Sequence, residues 1–540
     1  MKPLASGSLP FYSIRSRALP SPLSILGLGL AGLITLPLLW VTYTALSSDL
    51  AVWRRLWTTR VPELLWNTLS LAGGVAIGTL VLGISLAWII TRYEFPGRRF
   101  WEMAVILPLA IPSYVLAYIY TYLLGRGGPV DLFWQSLTGP EAHIFSPYSY
   151  GGAALVMTLN TFPFVYLLAR SALMNFNVSF EEVARISGAT PLQSFFRVTL
   201  PLLRPSLVAG LFLALLYVVS DFGAVALLRY QTFTLAIYQQ MTGRYDHTAA
   251  ACLSLLLVLF AFLFLFAERW FRHQSKFFQT QGSFRQYLPQ PASRPLAMGF
   301  TGFLSLVVGA AFGIPVWLLL QWTLDAIAQG DVTARFLAFS VNSVGLAAVA
   351  ATLALIIGTP LAFLACRYPT KINILCLQGA YSGYVLPGPV TALALLVLIT
   401  QFLPALYGTA LVLIFAYVVH FLPAGLQAME SSLQQVTPNL EEAARSLGRS
   451  RFKTFFTITL PLVRGGFLVA WILIFVQCLK ELPATLLLRP VGFDTLSVRI
   501  WLEASEELYQ LAAPPALFLV ILTIPVALLL TGKFSRMSRG

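Results

Sequence analysis

The sequence is poor in charged residues. Only 10% of its 540 residues are Asp, Glu, Lys or Arg, whereas 58% are hydrophobic, and its mean hydropathy is +0.78. A soluble domain carries about 25% charged residues, so this chain cannot cover a folded core with polar groups. The composition excludes an ordinary soluble protein and indicates that lipid solvates much of the surface.

Residues for metal, redox or nucleotide chemistry are also scarce. The four cysteines lie in or beside apolar runs, with neither zinc-site nor disulfide spacing, and we expect buried, unreactive thiols; they are Cys252, Cys366, Cys376 and Cys478. No Gly-x-x-x-x-Gly-Lys-Ser/Thr loop for ATP phosphates occurs. The sequence predicts a chain that is not an enzyme and has no cofactor of its own.

Long apolar runs are what the chain has in abundance. A helix needs about 20 apolar residues to cross the hydrocarbon core. Twelve runs qualify, near 23–46, 66–90, 101–124, 152–172, 205–228, 249–267, 298–322, 341–366, 376–402, 406–428, 465–488 and 511–532. The first is too long for a signal-peptide core, so we expect it to be retained. Pro108, Pro112, Pro387 and Pro389 are expected to break the third and ninth spans near a pathway.

The net charge of +14 follows these spans. If the N-terminus is inside and each run crosses the membrane, most of the 35 Lys and Arg residues fall in inner segments. This distribution follows the positive-inside rule, whereas a basic surface for nucleic acid would not alternate with the spans. We predict a multi-pass protein in a lipid bilayer, with both termini cytoplasmic and no nucleic-acid partner.

The chain repeats itself. Residues 67–93 align without gaps on residues 342–368. Residues 181–204, here called the first bracket, align on residues 441–464, the second bracket, with half of the positions identical. Six spans separate the copies, so both halves have the same orientation and form a parallel repeat.

The repeat predicts the domain organisation. The fold class is an all-α integral membrane protein of about twelve transmembrane helices, arranged as two parallel six-helix repeats. A polar, basic segment divides the chain almost in half. The predicted parts are a first half at 1–267 with its core at 65–267, a cytoplasmic linker at 268–297, and a second half at 298–540 with its core at 340–532.

The two brackets are polar segments on the predicted inner side. Each begins with capping-box spacing, from Ser179 to Glu182 and from Asn439 to Glu442. A glycine, a second short helix around a Phe-Phe pair and a Leu-Pro stop follow in each. Because glycine permits a sharp turn, the pattern predicts that each bracket is a compact pair of short helices. The pair projects from the membrane and can be bound by a partner.

The brackets resemble the EAA loop of ABC importer permeases, Glu-Ala-Ala, three residues, Gly, nine residues, Ile-x-Leu-Pro. The second bracket matches throughout, and the first has Val183 for Ala and Val198 for Ile. In that family the loop docks on a cytoplasmic ATPase subunit, so a fused chain would dock an ATPase dimer. The implied coupling residues are Glu182, Ala184, Gly188, Leu200 and Pro201 in the first bracket and Glu442, Ala443, Ala444, Gly448, Leu460 and Pro461 in the second.

Residues 107–115, 220–223 and 480–490 resemble the ferric-iron branch of these permeases. The resemblance covers essentially the whole chain. It implies a type I ABC importer permease of the bacterial inner membrane that receives Fe(III) from a periplasmic binding protein. Two alternatives stay open: a fused ABC permease for another cargo such as thiamine, and a secondary transporter driven by an ion gradient.

Three ionisable residues fall within the predicted spans: Asp221 in the fifth, and Lys480 and Glu481 in the eleventh. Such residues are costly in lipid and face a pathway or a partner. Asp221 and Glu481 occupy matching positions of the repeat. They are candidates for contact with a cationic cargo, since hard cations prefer oxygen ligands. Alternatively, Lys480 and Glu481 neutralise one another or sit at the outer membrane interface.

Tyrosines provide weaker pathway candidates. Phenolate oxygen suits Fe(III), although aromatic packing is the favoured role for these side chains. The candidates are Tyr114, Tyr118, Tyr381 and Tyr384. No metal site is assigned from the sequence.

Overall fold

A computed structural model of the protein describes residues 22–140, 142–143, 145–273, 289–384 and 386–537. Residues 274–288 of the predicted linker and the N-terminal residues before Pro22 lie outside the described residues. At the edges of the linker, the helix that starts at His247 continues to His273, and the next helix begins at Arg294.

The described chain is mostly helical. In the first half of the sequence the helices are α1 (Pro22–Leu46), α2 (Leu50–Thr59), α3 (Val61–Arg92), α4 (Arg98–Ala104), α5 (Ser113–Leu124), α6 (Pro129–Thr138), α7 (Tyr150–Met174), α8 (Ser179–Ile186), α9 (Pro191–Ser194), α10 (Leu200–Ser220), α11 (Gly223–Leu227), α12 (Phe233–Thr242) and α13 (His247–His273). In the second half they are α14 (Arg294–Val308), α15 (Ile314–Gln329), α16 (Ala334–Arg367), α17 (Lys371–Ala380), α18 (Gly388–Phe402), α19 (Ala410–Gln435), α20 (Pro438–Ser446), α21 (Arg451–Thr454), α22 (Leu460–Lys480), α23 (Pro483–Leu488), α24 (Leu496–Ser505) and α25 (Tyr509–Met537). Two short strands, β1 (Tyr93–Glu94) and β2 (Gln290–Pro291), pair in parallel.

The predicted spans are all present. In the described residues, ten helices are long and apolar enough to cross a membrane, and two bent pairs bring the number to twelve. The bent pairs are the third and ninth predicted spans, with bends of 94° and 109°. Pro112 and Pro387 stand directly before the second helix of each pair. Proline disfavours helical conformation in the residue before it, which explains why the helices break at these positions. The predicted breaks are confirmed.

The helices form two compact units. The smaller unit comprises Met1–Trp40, Val344–Leu386 and Ala394–Cys478, and the larger unit comprises Val41–Ser343, Pro387–Leu393 and Leu479–Gly540. Within the larger unit, α3, α7 and α10 pack on one another, and α25 packs against α15 and α24. Within the smaller unit, α17 packs against α19, and Trp471 Nε1 of α22 donates to Thr352 Oγ1 of α16 at 3.0 Å.

The spans carry apolar side chains on their outer faces. Leu28, Ile77, Leu306 and Ile356 are each more than half exposed. Apolar surface exposed over many helices would be costly in water and marks contact with lipid or protein. The exposure follows directly from the low charge content of the sequence.

Candidate coupling and pathway sites

Each bracket is a pair of short helices joined at a glycine turn. In the first bracket α8 is followed by Gly188, with φ +89°, and in the second α20 is followed by Gly448, with φ +80°. A positive φ is the left-handed conformation that glycine adopts at little cost and that commonly ends helices. The predicted glycine turns are confirmed.

The predicted capping boxes at the bracket starts are wrong. Ser179 is the first residue of α8, whose cap position is Val178; the bond at this helix start comes from Asn177, whose Oδ1 accepts the Ser179 N–H at 3.2 Å. Asn439 lies inside α20, which follows the cap position Thr437 without a side-chain bond from that residue. Pro438 has its backbone preset for the first helical turn, so α20 begins one residue before Asn439.

Side-chain caps occur instead at the second helix of each bracket. Thr190 and Gln193 form a complete capping box at α9, with bonds of 3.0 and 3.3 Å. Ser450 Oγ accepts the Lys453 N–H at 3.3 Å at the start of α21. These bonds satisfy amide groups that a helix start leaves without partners.

The predicted Leu-Pro stops are also wrong. Leu200 and Pro201 open α10, and Leu460 and Pro461 open α22. A π turn precedes each pair, and the Leu200 N–H bonds to the Phe195 carbonyl five residues back. Pro201 and Pro461 thus lie within continuous helical segments, Pro191–Ser220 and Arg451–Lys480, and do not end them. Each bracket therefore continues directly into a span.

A buried polar contact fastens the first bracket to its neighbouring spans. Arg92, the last residue of α3, donates through Nη2 to Glu181 Oε1 in α8. The Thr199 hydroxyl, one residue before α10, donates to the same oxygen at 2.5 Å. The Arg92 side chain is only 3% exposed, and its guanidinium lies 4.5 Å from the centroid of the Trp88 ring. We call Arg92, Glu181 and Thr199 the first clamp.

The same arrangement recurs in the second bracket. Arg367, the last residue of α16, donates through Nε to Glu441 Oε1 at 2.9 Å, and Thr459 Oγ1 donates to that oxygen at 3.1 Å. Arg367 Nη2 also donates to the Val436 carbonyl at 3.0 Å. The Arg367 side chain is 6% exposed. Arg367, Glu441 and Thr459 form the second clamp, at positions that match the first in the repeat.

Sequence reasoning missed both clamps. The motif directs attention to Glu182 and Glu442, whereas the buried contacts belong to the preceding Glu181 and Glu441. Glu442 itself is exposed. A signal was present, because each clamp residue is identical to its counterpart in the repeat. Nothing in the sequence, however, pairs an arginine from one aligned segment with a glutamate from the other.

The brackets also present exposed apolar side chains. Ile186 and Leu447, beside the glycine turns, are 87% and 85% exposed. Leu192 and Phe452, at matching positions of the repeat, are 68% and 75% exposed. These residues lie outside the predicted spans, so the hydrocarbon core does not cover them. Exposed apolar side chains outside the bilayer are available for contact with a partner or with the membrane surface.

Asp221 and Glu481 lie at helix ends rather than within continuous spans. Asp221 separates α10 from α11, and Glu481 separates α22 from α23. Asp221 Oδ1 accepts the N–H of Ala224 at 2.9 Å, and Glu481 Oε1 accepts the N–H of Ala484 at 3.0 Å. Each carboxylate therefore caps the short helix that follows it, as side chains at helix N-termini commonly do.

Both carboxylates also face the first residue of a half-span. The hydroxyl of Ser113, which begins α5, donates to Asp221 Oδ2. Gly388 begins α18, and a Cβ placed on it would lie 2.7 Å from Glu481 Oε1, so a side chain there would clash with the carboxylate. Helix N-termini favour nearby negative charge, so the starts of α5 and α18 offset part of the cost of burying these carboxylates.

Lys480 bonds to the main chain instead of to Glu481. Its Nζ donates to the Leu109 carbonyl at 2.6 Å, in the single helical turn before the break of the third span. The break leaves carbonyl groups without helical partners, and the ammonium satisfies one of them. The structure thus favours a bridge from Lys480 to the third span over mutual neutralisation with Glu481.

Two of the candidate tyrosines are packed in the larger unit. Tyr114 is buried, and its hydroxyl donates to Ser497 Oγ at 2.9 Å. Tyr118 stacks on Tyr509, with ring centroids 5.9 Å apart and an interplanar angle of 5°. Both are contacts of aromatic side chains in a packed core.

The other two tyrosines are neighbours in the smaller unit. The Tyr381 hydroxyl donates to Glu430 Oε1 at 2.5 Å. Tyr384 stacks on Tyr381 at 6.2 Å and is 46% exposed. Sequence reasoning did not identify Glu430 as their neighbour, because it comes from a different span.

Potential metal ligands are dispersed. Across the part of the chain that the structure describes, no three His, Cys, Asp or Glu side chains are placed to hold a metal ion together. The four cysteines are in the thiol form; Cys252, Cys376 and Cys478 are buried, and Cys366 is partly exposed.

These features define a class of protein, a helical membrane permease built from two fused repeats. A family model described as "Binding-protein-dependent transport system inner membrane component" matches residues 79–276 and 358–533. The chain belongs to this family. It is a multi-pass transport permease of the inner membrane and not a catalytic subunit, and the two matches confirm the predicted repeat.

Relatives extend the likeness over most of the chain. The "Fe(3+)-transport system permease protein FbpB 2" of Haemophilus influenzae is 34% identical over 475 residues, covering 87% of this chain and 90% of the relative. The "Ferric transport system permease protein FbpB" of Actinobacillus pleuropneumoniae is 24% identical and covers 86% and 70%. The "Sulfate transport system permease protein CysT" of Salmonella typhimurium is 32% identical over 193 residues, or 35% of this chain and 68% of the relative.

Proposed function

We propose that this chain is the membrane-spanning subunit of an ATP-driven importer of ferric iron. A periplasmic binding protein delivers the ion, and a cytoplasmic ATPase dimer supplies the energy. The observation that carries this proposal is the 34% identity, over 87% of the chain, to a permease named for Fe(3+) transport.

The brackets supply the coupling in this proposal. Ile186 and Leu447 offer exposed apolar anchors beside the glycine turns, and each bracket would dock on one subunit of the ATPase dimer. The second helix of each bracket is continuous with a span, over Pro191–Ser220 and Arg451–Lys480. A push on a bracket therefore acts on a continuous helix. The coupling residues implied by the EAA resemblance keep that role here.

The two broken spans support a cation pathway. Irregular backbone at membrane depth is tolerated where protein or a cavity surrounds it, and both breaks have a carboxylate beside them, Asp221 and Glu481. Negative charge at this depth is costly without a function. We propose that these carboxylates favour passage of a highly charged cation, while Tyr114 and Tyr384 stay weaker candidates.

The proposed orientation places both termini and both brackets in the cytoplasm. It rests on the distribution of Lys and Arg along the chain. The halves are proposed at the predicted bounds, 1–267 and 298–540 with the linker at 268–297, because each half contains one copy of both aligned segments. They are halves of the sequence repeat and differ from the two compact units.

Uptake by cells lacking the gene tests the proposal. Expression of the protein in these cells should restore uptake of radiolabelled Fe(III) and leave thiamine uptake unchanged. An ATP-binding subunit should co-purify with the tagged protein. Loss of thiamine uptake with normal iron uptake in the deletion strain would contradict the ferric cargo. Transport that continues without any ATPase and collapses with the ion gradient would favour a secondary transporter.

A further inference from the structure

We infer that the two Arg–Glu–Thr clamps are the joints that pass force from the brackets to the spans, with Glu181 and Glu441 as the positioning residues at their centres. The inference rests on the proposed function, because it states how the proposed coupling is transmitted.

The clamps matter because the first helix of each bracket has almost no buried side chains. No residue of α8 is buried, and in α20 only Ala444 is buried. Helices this short are marginal in isolation, and a glycine turn follows each one. A helix without a buried apolar face is free to swing unless polar contacts fix it. The carboxylates of Glu181 and Glu441 supply those contacts.

Each clamp joins three pieces of chain through one oxygen atom. Glu181 Oε1 receives Arg92 from the end of α3 and Thr199 from the start of α10. The carboxylate itself comes from the bracket. The clamp therefore holds three segments at a single point: the first bracket helix α8, the start of α10 and the end of α3. The second clamp holds the matching segments through Glu441.

The arginines also hold the chain where it enters each bracket. The Arg92 guanidinium lies 5.7 Å from the Phe176 ring centroid, and Arg367 Nη2 bonds to the Val436 carbonyl at 3.0 Å. Phe176 and Val436 occupy matching positions of the repeat, between a span and its bracket. Both clamps are largely shielded from water, where charge-assisted bonds fix geometry well.

A clamp built in this way makes the bracket and two spans move together. When an ATPase subunit displaces the bracket, α10 follows through its continuous helix, and α3 follows through the Arg92–Glu181 bond. Without the clamp, the first bracket helix would pivot at Gly188 and absorb the displacement. ATP hydrolysis would then proceed with little transport.

The test compares variants in proteoliposomes that contain the permease–ATPase complex and are supplied with the iron-loaded binding protein. The Glu181→Gln/Glu441→Gln double variant should transport at least tenfold less iron per ATP hydrolysed. The Thr199→Val/Thr459→Val variant keeps the shape of the side chains and should lower the same ratio several-fold. Thr199→Ser/Thr459→Ser keeps the hydroxyl donors and should restore most of it.

A matched control uses the same chemical change outside the clamps. Glu94 pairs with Arg98 at an exposed site, where the Glu94 side chain is 59% exposed. Glu94→Gln should leave the iron-to-ATP ratio unchanged.

Three outcomes would overturn the inference. An unchanged ratio in both the glutamine and the valine variants would show that the clamps do not transmit force, while the proposed function would stand. Loss of ATPase binding in the valine variant would show that the clamps shape the docking surface instead. A wild-type chain that moves iron without hydrolysing ATP would overturn the proposed function as well.

Discussion

At the scale of single residues, Asp221 and Glu481 stabilise short helices whether or not an ion passes. Each accepts a main-chain N–H three residues ahead, from Ala224 and Ala484. Asparagine caps helices about as well as aspartate does, whereas alanine at such a position costs about 0.5–2 kcal/mol. The capping role and the charge of Asp221 can therefore be separated by substitution.

We predict that Asp221→Asn keeps stability close to wild type and lowers iron uptake, because the amide oxygen still accepts the Ala224 N–H but the negative charge is gone. Asp221→Ala should lose both, with a stability loss of about 1 kcal/mol. Thermal unfolding in detergent and uptake of radiolabelled Fe(III) measure the two effects. Wild-type uptake by the asparagine variant would remove the Asp221 charge from the pathway.

Single-residue roles were only partly visible in the sequence. Asp221, Lys480 and Glu481 stand out because charges are rare in apolar runs. Glu181 and Glu441 lie in polar segments, where the sequence does not separate one charged residue from another. Only their bonds to the buried side chains of Arg92 and Arg367 distinguish them.

At the scale of elements, the brackets combine short helices with exposed apolar residues. Leu447 is 85% exposed beside Gly448, so its side chain contributes little to the folded chain alone. If it is an anchor for the ATPase, its burial in the complex supplies binding energy, and anchors of this kind dominate protein interfaces.

Leu447→Asp should therefore weaken ATPase binding at least tenfold, a change of about 1.4 kcal/mol, without affecting membrane insertion. Val491→Asp is the matched control, since Val491 is fully exposed in the loop between α23 and α24, on the predicted outer side. Affinity measurements with the purified ATPase subunit compare the two variants. Equal binding by both would argue against docking at the second bracket.

Some element boundaries could be predicted from local sequence patterns alone. Proline breaks at Pro112 and Pro387 and glycine turns at Gly188 and Gly448 act through the backbone of their own residues, so the sequence predicts them correctly. The Leu-Pro pairs misled because proline suits a helix start as well as a stop. Only the preceding π turn, which carries the helix through to Leu200, decided between the two.

At the scale of the whole molecule, topology is the feature that the proposed function needs most. An even number of spans between the brackets requires that both face the same side of the membrane. The positive-inside distribution predicts that this side is the cytoplasm.

Cysteine labelling tests this arrangement. Ser187→Cys and Ser446→Cys lie at exposed bracket positions and should react with a membrane-impermeant maleimide only after the membrane is opened. Val491→Cys should react in intact cells whose outer membrane is permeable to the reagent. The unsubstituted chain provides the background from its native cysteines. Labelling of either bracket in intact cells would contradict the proposed orientation.

The sequence by itself determined the twelve spans, the parallel repeat, the two breaks and the glycine turns. These features depend on hydropathy, on internal identity and on the backbone preferences of proline and glycine, all of which act over short stretches of chain. Tertiary structure alone decided the clamps, the bond from Lys480 to the third span and the caps formed by Asp221 and Glu481. Their partners lie far apart in the chain or depend on where a helix ends. Only folding brings the buried arginines to the brackets, where they bond to one glutamate rather than to its neighbour.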